Sequence, residues 1–268
     1  MTAVALSIAG SDSSGGAGVQ ADLKTFAALG VYGASAITAL TAQNTKGVTA
    51  IHDVPADFVA AQMDAIYDDL SIDAVKVGML SNIAIIAAVA KSLSRRGARN
   101  VVLDPVMVAT SGDRLLSPDA VEALRSKLIP LSLVVTPNLP EAAALTGASV
   151  ARNEQEMEAQ ARQLLAMGAR RVLIKGGHGE GAESVDLLVG EGEVLRLSAK
   201  RIATRNTHGT GCTLSSALAA GLAKGASISD AATAAKEYVT AAIAAAAALQ
   251  IGSGHGPLHH FYNSWRSS

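Results

Sequence analysis

Short apolar runs separated by helix-length segments recur along this chain, and that alternation limits its fold more than any other feature. Residues 4–9, 35–41, 74–78, 101–104, 133–135 and 172–175 read as strands. Residues 19–29, 55–70, 81–96, 117–128, 139–145 and 154–167 read as helices, several closed by a glycine or proline such as Gly30, Gly97, Pro130 or Gly168. Strands without an exposed polar face, spaced by helices, predict an α/β fold whose mostly parallel central sheet is covered on both faces. Residues 48–54 form a further short strand. Residues 184–189 and 193–197 alternate apolar and polar side chains around Gly190 and Gly192, which predicts a small antiparallel edge. In such sheets ligands bind beyond the carboxyl ends of the strands. Gln43, Met79, Asp104, Asn138, Glu141 and Lys175 all fall there.

With 268 residues, the chain predicts one domain over residues 1–252 and a loop-like tail over 253–268. Only 3% of residues are aromatic, so the core is built from Ala, Val, Leu and Ile. A net charge of −1 without basic clusters argues against a nucleic-acid partner. One cysteine excludes an internal disulfide and a thiolate zinc cluster, and fits a reducing cytoplasm. The apolar start lacks a basic leader and reads as a first strand, not a signal peptide. The alanine run 241–248 is too short to cross a bilayer, so a membrane partner is not expected. Residues 229–250 form a long helix carrying Lys236, and the tail's His255, His259 and His260 read as solvated.

Two glycine-rich stretches punctuate the pattern. The first, residues 10–18, sits between a strand and a helix, the opening of a nucleotide-binding unit. It loosely matches the dinucleotide fingerprint, yet no acidic residue follows about 20 positions later to hold a ribose. A P-loop is absent too. The second, Thr207-His208-Gly209-Thr210-Gly211-Cys212-Thr213, opens a helix whose Leu214, Ala217, Leu218, Gly221 and Leu222 share one face. Such an end turns unpaired N–H groups outward at the positive pole of the helix, a place for phosphate or a developing oxyanion. Cys212 falls in the first turn, where a thiol's pKa is expected to drop.

The remaining candidates each carry two readings. Gln43 matches the edge of a nitrogen heterocycle, and alone it reads as a surface turn residue. Asp104 stands at a strand tip before Pro105 and is either a turn residue or a ligand. Asn138 and Glu141 either close a capping box or join a cation site. Lys175 beside Gly176 and Gly177 suits a phosphate. Carboxylates, a lysine and an anion-binding helix end together make a magnesium–nucleotide constellation, since magnesium takes oxygen ligands and keeps several waters.

These stretches, with residues 38–45, 77–80 and 136–142, resemble the ribokinase-like superfamily, within it the vitamin kinases, and most closely the hydroxymethylpyrimidine/phosphomethylpyrimidine kinases of thiamine synthesis. The resemblance covers nearly the whole chain. It implies a ribokinase-like fold, a homodimer, ATP and Mg2+ as cofactors, and a small pyrimidine substrate. Gln43 is implied to bond the pyrimidine ring nitrogen and amino group, with Gly10, Ala17, Met79 and Val106 lining the pocket. Lys175, Asn138, Thr207 and Lys236 are implied on the ATP side, and Asp104 and Glu141 on magnesium. Amides of Gly209, Thr210, Gly211 and Cys212 are implied to stabilise the transferring phosphoryl group. In the sugar kinases of the superfamily the Cys212 position is Asp, the usual base. The alternative activity is a pyridoxine or pyridoxal kinase. A nicotinamide-dependent oxidoreductase is disfavoured by the missing acidic residue, and a non-catalytic nucleotide-binding module by the presence of Asp104, Glu141 and Cys212 together.

Overall fold

The structure is a computed structural model and describes residues 1–107, 118–177 and 181–265. Ser117, the first residue of one expected helix, and residues 266–268 of the expected tail lie outside the described residues. The strands are β1 (Val4–Asp12), β2 (Tyr32–Asn44), β3 (Gly47–Asp53), β4 (Ala74–Val77), β5 (Val101–Leu103), β6 (Val134–Val135), β7 (Arg171–Lys175), β8 (Glu183–Gly190) and β9 (Glu193–Lys200). The helices are α1 (Gly18–Ala28), α2 (Ala56–Asp69), α3 (Ile83–Arg95), α4 (Pro118–Lys127), α5 (Leu139–Thr146), α6 (Glu154–Ala166), α7 (Thr210–Ala223) and α8 (Ile228–Ala245).

All the strands form one sheet in the order β3-β2-β1-β4-β5-β6-β7-β8-β9. The run from β2 to β7 is parallel, as expected, and β7, β8 and β9 pair antiparallel at one edge. The opposite edge is antiparallel as well, because the tight turn after Asn44 folds β3 straight back on β2.

Alternating side chains divide the core in two. Leu6, Ile8, Val75, Val77, Leu103 and Val135 meet residues of α2 to α6, among them Met63, Ile86, Leu124 and Leu164. Ala5, Val102, Val134 and Leu173 face the other way onto Phe26, Leu218, Tyr238 and Val239 of α1, α7 and α8. Each strand is therefore apolar on both faces, which is what burial under two helical layers demands.

The order reverses between β1 and β4, since the chain first builds outward through β2 and then crosses back. That reversal opens a crevice beyond the carboxyl ends of β1, β4 and β5, and the functional site occupies it.

Three of the boundaries that differ from expectation have clear physical reasons. β1 runs on to Asp12 and β2 to Asn44 because Ser11 and Asp12 pair with Leu40 and Thr41 despite their polarity. Gln43 therefore sits inside β2, at an irregularity opposite β3. Finally, α8 ends at Ala245 and not at Gln250, where the Asn206 side-chain amide donates to the Ala246 carbonyl at 2.6 Å. The tail packs back onto the fold: Leu258 and His260 are buried. The solvated reading fails for His260, whose Nε2 lies 3.0 Å from Thr213 Oγ1 in the first turn of α7.

Candidate active site

A cleft of about 840 Å³ runs along the carboxyl ends of the strands, and every site residue expected from the sequence lines it. At its centre three elements deliver charge. Lys175 closes β7, Asp104 follows β5, and Glu141 lies in the first turn of α5. Lys175 Nζ is 2.7 Å from Asp104 Oδ1 and 3.8 Å from Glu141 Oε2. Burial works to raise the Asp104 pKa, but the Lys175 and Lys76 cations hold it below the ordinary carboxylate value. Glu141 goes the other way: burial pushes its pKa up to about 7, Lys175 pulls it down, and the Asp104 charge adds to the rise. Burial disfavours the charge on both carboxylates, and only at Asp104, bonded to Lys175 and near Lys76, do the cations outweigh it.

Both readings of Glu141 are realised at once. Asn138 Oδ1 accepts from Glu141 N at 2.8 Å, and Glu141 Oε2 accepts from Asn138 N at 2.8 Å, a complete capping box on α5. The same carboxylate also lines the cleft.

The second glycine stretch places the N-terminus of α7 over this cluster. Gly209, the N-cap, has φ 82° and no side chain among the described residues caps the helix, which leaves Gly211 and Cys212 of its first turn in the cleft wall. Only glycine fits there, because a Cβ on Gly209 would also collide with the Gly16 carbonyl of the first glycine loop. A Cβ on Gly211 would stand 3.1 Å from Lys175 Nζ, which places the helix end directly against the cation.

Cys212 corrects an expectation. Its pKa is not lowered by the helix end; burial pushes it up to about 11, the Asp22 and Asp104 charges add to that, and Lys76 offsets only part.

At the β2 end of the cleft, Ser13 Oγ and the Gln43 main chain exchange hydrogen bonds at 2.8 Å, clamping β2 to the first loop. Gly10, Ala17, Met79 and Val106 line the same cleft. At the far end Lys236 is buried and paired with Asp186 at 2.9 Å, and Asp186 also accepts from Gly176 N. Ala199, Ile202, Val239 and Ile243 make an apolar wall there.

Sequence reasoning missed two buried pairs. Asp12 and His208 meet at 2.7 Å between the two glycine stretches. Lys76 and Asp22, both fully buried, meet at 2.9 Å beneath them, with Ser7 and Ser216 bonded to the same carboxylate. The signal for the second pair was present: a lysine inside the otherwise apolar run Ala74–Val77 needs a buried partner.

Nucleotide-sized space, a buried carboxylate pair with its lysine, and a glycine-bearing helix end meet in one cleft, an arrangement suited to a phosphate-bearing ligand. The chain matches the family described as phosphomethylpyrimidine kinase over residues 12–259. It is 62% identical over 266 residues to the hydroxymethylpyrimidine/phosphomethylpyrimidine kinase of Rhizobium meliloti, covering 99% of this chain and 100% of that one. The thiamine biosynthesis bifunctional protein ThiED of Geobacter sulfurreducens is 51% identical over 255 residues, covering 95% of this chain and 51% of its own. Among solved structures, the ADP complex of Bacillus subtilis pyridoxal kinase superposes with a TM-score of 0.92 at 40% identity, covering 99% of this chain and 100% of that chain. The chain belongs to the phosphomethylpyrimidine kinase family.

Proposed function

We propose that this chain transfers a phosphoryl group from ATP to the hydroxymethyl oxygen of 4-amino-5-hydroxymethyl-2-methylpyrimidine, then a second to the monophosphate, for thiamine synthesis. The observation that carries the reading is the order of groups along one cleft. Gln43 lies on β2 and the apolar wall of Ala199, Ile202, Val239 and Ile243 on and beside β9 and α8, and the sheet order sets β5 and β7, with Asp104, Lys175 and the α7 N-terminus, between them.

In this reading the carboxamide of Gln43 pairs with the ring nitrogen and amino group, and the apolar wall takes the adenine. The uncapped amides of Gly211 and Cys212 receive the oxygens of the transferring phosphoryl group. Lys175 exchanges its bond to Asp104 for one to phosphate. The donor set suits magnesium, which takes oxygen ligands, one or two carboxylates and substrate phosphates. Asp104 and Glu141 would hold it, Glu141 giving up its proton to do so. Bound there, the ion supplies positive charge against the phosphates. With its pKa near 11, Cys212 carries its proton at neutral pH and acts as a contact, not as a base. Positioning and charge stabilisation then carry the rate, as a loose phosphoryl-transfer transition state allows.

A second reading, phosphorylation of pyridoxine or pyridoxal, draws on the likeness to the Bacillus subtilis pyridoxal kinase. We further propose a cytoplasmic homodimer. Exposed Leu40 and Ile51 on the β2–β3 edge offer apolar surface for pairing. Among the described residues no helix is long and apolar enough to cross a membrane. The test is direct: protein, ATP, Mg2+ and the aminopyrimidine are incubated and products separated by mass. Successive gain of two phosphoryl groups supports the reading, and an unchanged aminopyrimidine rejects it.

A further inference from the structure

We propose that His208 is a positioning residue that latches the substrate-side glycine loop to the phosphoryl-side loop and so fixes the separation of acceptor and donor. The proposal rests on the kinase reading above.

Asp12 organises the first loop. Its Oδ1 accepts from Ser14 N at 2.9 Å and Ser14 Oγ at 2.7 Å; its Oδ2 accepts from Gly16 N at 3.1 Å and Ala17 N at 2.8 Å. Residues 13–17 are thereby wrapped around one carboxylate, and Ala17 is a wall of the acceptor pocket. His208 Nε2 approaches the same Oδ2 at 2.7 Å from 196 residues away. Burial would raise the Asp12 pKa, yet the His208 and Ser14 hydrogen bonds bring it down to about 2. The carboxylate is therefore ionised at neutral pH and has no proton to give, so Nε2–H of His208 is the donor.

His208 immediately precedes Gly209, the N-cap of the anion-binding helix. The latch is thus one residue from the amides that face the phosphoryl group. Packing supports the hydrogen bond, since a Cβ on Gly16 would collide with the His208 ring. The C-terminal segment braces the histidine from behind. His208 N donates to the Gly256 carbonyl at 3.0 Å, and Pro257 stands 3.3 Å from the position a Gly16 Cβ would take. His255 N in turn donates to the Thr45 carbonyl at 2.8 Å, just beyond β2. Gln43 Nε2 lies 3.5 Å from His208 Nε2, which already carries a proton.

The test compares His208→Ala, His208→Gln, Asp12→Asn and the double variant Asp12→Asn/His208→Ala with the parent. His208→Ala is expected to lower kcat roughly ten- to a hundredfold, the cost of a misplacement near one ångström, while the KM for ATP stays within about twofold. The double variant is expected to lose less than the product of the two single losses, because Asp12 and His208 share one link. His208→Gln, whose carboxamide N–H reaches toward Asp12, is expected to recover part of the loss. In hydrogen–deuterium exchange, residues 13–18 are expected to exchange faster in His208→Ala while β4 and β5 do not change. Parental kcat in His208→Ala, multiplying losses in the double variant, no recovery with Gln, or unchanged exchange at residues 13–18 would each overturn the latch. A parent that phosphorylates neither ring defeats the kinase reading instead. Exchange at residues 13–18 then decides the latch by itself, a rise in His208→Ala supporting it and no rise overturning it.

Discussion

Lys175 reaches Asp104 at 2.7 Å but stops 3.8 Å short of Glu141, and with both buried and Lys76 near Asp104 the two adjacent carboxylates differ in protonation at neutral pH. Asp104 is held ionised, whereas Glu141, with its pKa near 7, is half protonated. Magnesium uptake should therefore release a proton near neutrality, because a bound cation requires the carboxylate. Affinity is expected to rise as the pH climbs through about 7, by up to roughly tenfold per unit for a single coupled proton. Titration calorimetry in buffers of different ionisation heat reads the proton count. No proton release would remove Glu141 from the metal set.

Glu141 also closes the cap of α5, so its two roles separate by substitution. Glu141→Gln keeps an acceptor for Asn138 N and is expected to preserve the melting temperature while lowering activity at limiting Mg2+. Glu141→Ala loses the cap as well, at a cost of about 1 kcal/mol. Melts and kinetics on both variants check this. Full activity in Glu141→Gln would leave only the capping role.

Cys212 with its pKa near 11 is a poor nucleophile at neutral pH. Alkylation by iodoacetamide is expected to be much slower than that of a free thiol at pH 7.5 and to accelerate as the pH rises. Cys212→Ser should keep more turnover than Cys212→Ala, since a hydroxyl preserves the polar contact without adding basicity. Rapid alkylation at neutral pH would restore the thiolate as a base.

His260 is buried and its pKa is pushed down to about 4 from 6.5 by desolvation, with Lys24 and His259 adding to the effect. Between those values the unfolded chain binds a proton that the folded chain refuses, so stability falls as the pH drops from about 6.5 to about 4. Replacing His260 by Asn is expected to flatten that part of the acid limb. Melting temperatures across the window test it, and an unchanged slope would contradict it.

Gln43 is expected to discriminate between rings. An aminopyrimidine offers an acceptor and an adjacent donor that one carboxamide satisfies, whereas pyridoxine presents its groups differently. Leaving a buried polar group unpaired costs about 1–3 kcal/mol. Gln43→Leu should therefore lose roughly ten- to a hundredfold in kcat/KM on the aminopyrimidine and distinctly less on pyridoxine. Equal losses would mean that Gln43 does not read the ring.

What was legible in the sequence follows from range. The parallel strands and the capping box of Asn138 and Glu141 are local patterns, and each stands where its residues suggested. The rule that ligands lie at strand ends gathers Gln43, Asp104 and Lys175 into one cleft, and the glycine-bearing start of α7 adds Cys212. The Asp12–His208 and Asp22–Lys76 pairs join residues 196 and 54 apart, and no local pattern encodes such partners. Tail composition predicts a solvated His260 because it says nothing of docking, and the side chain is buried. The thiol was assigned a lowered pKa from the helix end alone, whereas burial decides it.

The most direct test of the central claim is kcat/KM for the aminopyrimidine and for pyridoxine, measured side by side with ATP and Mg2+. The account predicts preference for the aminopyrimidine by at least roughly tenfold, the value of one matched polar pair. Equal efficiency on the two rings, or preference for pyridoxine, would contradict it.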